Sequence, residues 1–186
     1  SIDGILNAGK IGDITNIGII SGYGSSSASS GSGEGHGIYN DSNDKEMGNI
    51  TNIGIINGIG ESKDSQTSIA YGIYNYSLVE MGNIENEGII SGTGKSDGSG
   101  DGTGSGINNS SSGKIGDITN RGLISGSGKS TSGKSEGYGI YNSFSTMGAI
   151  TNTGVIYGKD NAIKNNSGTI ATAKNYGILV NGDDGK

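Results

Sequence analysis

One twelve-residue phrase, [Met/Ile]-Gly-x-Ile-x-Asn-x-Gly-[Ile/Leu/Val]-Ile-x-Gly, starts at Ile11, Met47, Met81, Ile115 and Met147. The spacing shortens along the chain, from roughly 36 residues at the first interval to roughly 32 residues at the last. A repeat of this size is a supersecondary unit that cannot bury an apolar face alone, so stacked copies must build one continuous core. A degenerate sixth copy is read from Ser167, about 20 residues after the fifth. A second phrase, Gly-Ile-Tyr-Asn, alternates with the first at Gly37–Asn40, Gly72–Asn75 and Gly139–Asn142. Weaker versions occupy Gly4–Asn7, Gly106–Asn109 and Ala162–Asn165, and a looser one ends the series at Gly177–Asn181. Gly/Ser-rich stretches separate the phrases at Tyr23–His36, Ile59–Tyr71, Thr93–Ser105 and Ser127–Tyr138, with almost none after Gly158. If the bare coil takes about 20 residues, the remainder is one insertion per coil, always at the same corner. The insertions shorten from roughly 16 residues to roughly 12 residues along the chain.

Composition then selects strand over helix. The 186 residues hold 28 Ile but only 4 Leu, 3 Val and 1 Phe. A β-branched side chain suits a pleated surface and loses χ1 freedom in a helix. With 39 Gly and a local apolar period of two, helical repeats are excluded. So little apolar bulk approaches the disordered class, and repetition must impose the order. The absence of Cys removes disulfide scaffolds and thiolate sites. No apolar run reaches the ~18 residues of a membrane helix, and no signal peptide is visible. Twelve scattered Lys and Arg at a net charge of −6 argue against nucleic-acid binding.

A coil of about 20 residues with three short strands is the size of one turn of a parallel β-helix. Strict alternation puts Ile14, Asn16 and Ile20 on the inner face and Thr15, Ile17 and Ile19 outside. Stacking then aligns five asparagines, Asn16, Asn52, Asn86, Asn120 and Asn152, as an inward amide ladder at a corner. Two outward columns are candidate contact surfaces. One is the apolar stripe Ile19, Ile55, Ile89, Leu123 and Val155, covered either by the Gly/Ser loops or by another molecule. The other holds Tyr39, Tyr74 and Tyr141, interrupted by Asn108 and followed by Lys164. Such a column serves as cross-strand packing or as a platform for sugar rings.

The phrases at 14–22, 50–58, 118–126 and 150–158, together with Gly-Ile-Tyr-Asn, resemble the passenger domains of Gram-negative type Va autotransporters. The resemblance covers nearly everything between Gly4 and Asn181. It implies a secreted, right-handed parallel β-helix exported through a C-terminal barrel. It also implies attachment to host cells or other bacteria, through a protein or glycan on their surface. Four successive Gly/Ser insertions depart from the usual passenger coil.

Glycan lyases and hydrolases also use β-helices, and they need clustered carboxylates. The candidate column Asp13, Asn49, Asn83, Asp117, Ala149 holds two carboxylates three coils apart, roughly 14 Å at ~4.8 Å per strand, too far for paired acid–base work. Glu87 and Arg121 read as a surface ion pair, and His36, the one histidine, as a surface residue in a Gly-rich loop. Residues 95–104 resemble a calcium loop but meet no calcium-binding pattern, and read as a flexible acidic loop. The sequence calls for no catalytic residue, metal or cofactor.

The expectation is one all-β array over 1–186: a right-handed parallel β-helix of about six coils, with three short strands per coil and Gly/Ser-rich insertions at one corner. It reads as part of a longer solenoid or as a self-stacking unit. The expected role is non-enzymatic, the stalk or display segment of an adhesin at a bacterial surface, with homo-assembly possible and no membrane insertion of this segment. The rival is an end-to-end structural filament, and behind it a glycan-active enzyme.

Overall fold

The structure is a computed structural model that describes residues 1–27 and 31–182. Strands stack in parallel into a β-solenoid with three sheets, and no helix occurs among the described residues. Sheet 1 carries the Ile-x-Asn phrases, among them Ile14–Asn16, Ile50–Asn52, Ile84–Asn86 and Ile118–Asn120. Sheet 2 follows it round a corner with Ile19–Ser26, Ile55–Ser62, Ile89–Ser96, Leu123–Ser130, Val155–Gly158 and Ile178–Asn181. Sheet 3 holds the Gly-Ile-Tyr-Asn phrases in Ile2–Asn7, Gly33–Asn40, Ser68–Asn75, Gly102–Asn109, Ser135–Ser143 and Asn161–Asn166.

Each coil contributes four inner apolar residues. In the third these are Met81, Ile84, Ile90 and Ile107, all fully buried. They extend into one continuous cluster along the axis. Burying an Ile this completely contributes roughly 1.5–3 kcal/mol, and no single coil holds enough of them to stand alone.

The repeat register differs from the sequence reading at the last coil. Met147 pairs with Ile170 and Asn152 with Asn175, so the sixth copy starts at Ile170 rather than at Ser167. Gly177–Asn181 is correspondingly not a Gly-Ile-Tyr-Asn copy. Its Ile178 and Leu179 pair with Val155 and Ile156 in sheet 2, completing the sixth phrase. Ala173 stands where other copies have Ile, which hides the match.

The Gly/Ser stretches are also not loops. They prolong the strands of sheets 2 and 3 beyond the third corner, in register from coil to coil: Gly94 pairs with Gly60 and Gly128, and Thr103 with Ile69 and Glu136. The two prolonged sheets form a thin fin whose inner positions are almost all Gly. A Cβ on Gly92 would run into the Ser105 carbonyl oxygen, and one on Gly24 into that of Glu34. Ordinary stacked sheets sit ~10 Å apart with side chains between them; here the backbones themselves touch. Serine hydroxyls close the tip, Ser62 donating to the Gln66 carbonyl at 2.6 Å and Ser130 to that of Gly100 at 2.6 Å. Of residues 95–104, expected as a flexible acidic loop, 95–96 and 102–104 belong to these strands, while 97–101, with Asp97 and Asp101, form the connection at the fin's tip. Residues 28–30 of the first stretch lie outside the described residues.

Candidate functional site

The inner corners are occupied by amide ladders. Asn16 donates to Asn52, Asn52 to Asn86 and Asn86 to Asn120, each at 2.8 Å; the ladder continues through Asn152 to Asn175 at 2.7 Å. Each amide also donates to nearby carbonyls, as Asn86 does to those of Gly88 and Leu123. A second ladder, Asn7, Asn40, Asn75, Asn109, Asn142 and Asn165, lines the corner between sheets 3 and 1. In the sequence this Asn closes the Gly-Ile-Tyr-Asn phrase, and its fixed distance from the buried Ile is the signal for a ladder. The carboxylate column also has a structural task. Asp13 accepts the Asn49 N–H at 2.7 Å and Asp117 accepts that of Ala149 at 2.7 Å, tying successive coils together. Glu87 and Arg121 form an exposed pair at 3.7 Å. No group of three or more metal-ligating side chains occurs among the described residues.

The outer face of sheet 3 gathers the aromatic side chains. Tyr39, Tyr74, Asn108, Tyr141 and Lys164 align in register. A second column, His36, Tyr71, Ser105 and Tyr138, runs beside it. The ladder skips Gly37 and Gly72. That irregularity lets residues three apart, His36 and Tyr39 or Tyr71 and Tyr74, share the outer side. A Cβ at Gly37 would lie 2.6 Å from both the Gly72 carbonyl oxygen and the Ile56 side chain, so only Gly fits there. The working module is therefore aromatic-Gly-Ile-Tyr-Asn, and its first aromatic residue escaped the sequence reading.

The rings interlock. His36 stacks on Tyr71 at 5.1 Å and Tyr39 on Tyr74 at 4.9 Å, while Tyr71 meets Tyr74 edge-on at 4.7 Å. Tyr76 leans on Tyr74 at 5.6 Å. His36 is not the surface residue expected: it is 2% exposed, inside a strand and under its tyrosine neighbours. Burial pulls its pKa down to about 4, so the imidazole is neutral at pH 7. Burial likewise raises the pKa of Tyr39, Tyr71 and Tyr74, which keeps their hydroxyls protonated. Glu34, His36, Tyr39, Ile69, Tyr71, Tyr74 and Tyr76 enclose a hollow of about 180 Å³. Further along the face, Tyr138 and Tyr141 lie 5.0 Å apart with the Lys164 ammonium 4.7 Å above the Tyr138 ring.

The stripe of sheet 2 is in register, with Ile19 72% and Ile89 37% exposed. The Gly/Ser stretches continue the sheet in its own plane, which leaves these two side chains open. A larger hollow of about 740 Å³ lies where the fin stops, at Lys129–Glu136 with Lys159 and Asp160. It is a polar step left by the missing insertion of the last coil.

Compared with protein-family models, curated proteins and solved structures, the chain matches none.

Proposed function

We propose that this chain is a display segment of a bacterial surface adhesin, a stiff non-enzymatic rod that holds an adhesive face at the cell exterior. The observation that carries the reading is the cluster of His36, Tyr39, Tyr71, Tyr74 and Tyr76 on the outer side of sheet 3. Aromatic side chains with a half-exposed apolar body and a polar tip are the residues binding surfaces favour. Behind them the amide ladders and the Ile core hold the backbone in place. That preorganisation spares the ordering cost which weakens mobile binding loops. The phrase resemblance to autotransporter passengers supports the bacterial exterior as the location and attachment to another cell as the use. Repetition of weak contacts along a rod raises overall binding through effective concentration.

The test is adherence of chain-coated beads to epithelial cells and to bacteria. Coated beads should bind above albumin-coated controls. Ser at both Tyr71 and Tyr74 should return them to the control level with the fold kept, as judged by circular dichroism. Wild-type beads that adhere no better than controls would overturn the reading.

A further inference from the structure

The aromatic module takes a cation in one of its copies. At Tyr138 and Tyr141 the chain supplies its own ammonium: Lys164 Nζ lies 4.7 Å and 5.9 Å from the two ring centroids and donates to the Tyr138 hydroxyl at 3.1 Å. Lys164 reaches this place because it follows Tyr141 in the column, one coil on. At Tyr71 and Tyr74 the same column position is Asn108, a buried amide within hydrogen-bonding reach of Tyr71, and the open space of this cluster lies instead on the side of Glu34 and Tyr39.

Carboxylates flank the first cluster, with the Ser1 amino group as the opposing charge on His36. Glu34 lines the hollow, and Asp41 and Asp3 lie close enough to act on Tyr39. None of the seven lining residues is Lys or Arg. Ring faces carry negative quadrupole density that attracts ammonium groups, most strongly where water is partly excluded. Ligand pockets for drug-sized molecules run to ~300 Å³ and above, so a hollow of about 180 Å³ suits a headgroup or a side-chain end.

We propose that the hollow formed by Glu34, His36, Tyr39, Tyr71, Tyr74 and Tyr76 is a binding site for an alkylammonium group. Such a group is the end of a lysine side chain on a partner protein, the chemistry that Lys164 presents to Tyr138 and Tyr141. The proposal rests on reading sheet 3 as a display face and adds what that face recognises. The tyrosine faces hold the cation, Ile69 meets its methylene or methyl groups, and Glu34 supplies the counter-charge.

The chain has no Trp, so its tyrosine fluorescence reports directly on titrations. The probes are choline chloride, Nα-acetyl-lysine amide, the neutral choline isostere 3,3-dimethylbutan-1-ol and methyl glucoside. A saturable response to the lysine amide, tighter than that to choline and without a response to either neutral probe, supports the site. Choline saturating first would assign the hollow to a headgroup and overturn the lysine assignment. Tyr74→Ala should weaken binding roughly tenfold, and Glu34→Gln several-fold, while Tyr74→Phe, which keeps the π face, should retain it. Glu34 lies at the surface, so Glu34→Gln carries the test should Tyr74→Ala fold poorly. An equal response to 3,3-dimethylbutan-1-ol or the glucoside, no response to either cation, or unchanged affinity in Glu34→Gln would overturn the proposal. Because these probes are free in solution, their failure alongside continued bead adherence would remove the cation site and leave the display role standing.

Discussion

At the scale of single residues the fold depends on buried polar groups whose partners come from the next coil. Asn86 accepts from Asn52, donates to Asn120 and also reaches two carbonyls. Asn86→Ala should therefore cost about 1–3 kcal/mol in urea unfolding, because it orphans neighbours on both sides. His36 has a pH signature. Its folded pKa of about 4 lies below the 6.5 of a free imidazole, so the unfolded chain takes up the proton first as pH falls. Its share of stability is complete above pH 6.5 and drains away as pH drops through about 4, by up to ~3 kcal/mol for a shift of this size. Asp3, which pairs with His36 across the strands, is shifted upward by burial and works in the opposite direction. Tyr71 and Tyr138 fill the same column, so His36→Tyr should fit and should flatten the stability difference between pH 4.5 and pH 7 measured by denaturant unfolding.

At the scale of elements the fin separates what the sequence made legible from what it concealed. The coil itself was readable, because Ile, Asn and Gly recur at fixed offsets and each has one physical task there. The fin was concealed because Gly and Ser are ordinarily loop residues, and nothing local distinguishes a flexible Gly run from one whose backbones must touch. Only pairing with the neighbouring coils orders such strands. Two expectations follow. Gly92→Ala should destabilise by about 1–3 kcal/mol or more through overpacking, while outward Ser91→Ala should be near neutral in a thermal melt. Deleting Thr93–Ser105, harmless if the stretch were a loop, removes an interior rung of the fin. Amide exchange should then rise in residues 58–62 and 126–130, while the Asn-laddered coils stay protected. The candidate site divides the same way. Tyr39, Tyr74 and Tyr141 stand out because they share a phrase; His36, Tyr71 and Tyr138 do not, because the irregularity at Gly37 and Gly72 breaks the period of two that alternation arguments assume.

At the scale of the molecule the coils form a regular rod with two unlike outer surfaces, an aromatic one on sheet 3 and an apolar stripe on sheet 2. Monomers rarely leave such stripes bare. Lys at both Ile55 and Ile89 should abolish any self-association seen by light scattering and leave the melting temperature unchanged, since neither side chain enters the core. All of this requires that the coils stack in register, and pulsed electron paramagnetic resonance tests that claim most directly. The chain has no Cys, so spin labels at Ser21→Cys and Tyr157→Cys are unique; both residues point outward from sheet 2, four rungs apart. At ~4.8 Å per rung the backbone separation is about 19 Å. Stacking in register predicts one narrow distribution near that value, broadened only by the label arms. A broad distribution, or one centred well beyond about 30 Å, would contradict it.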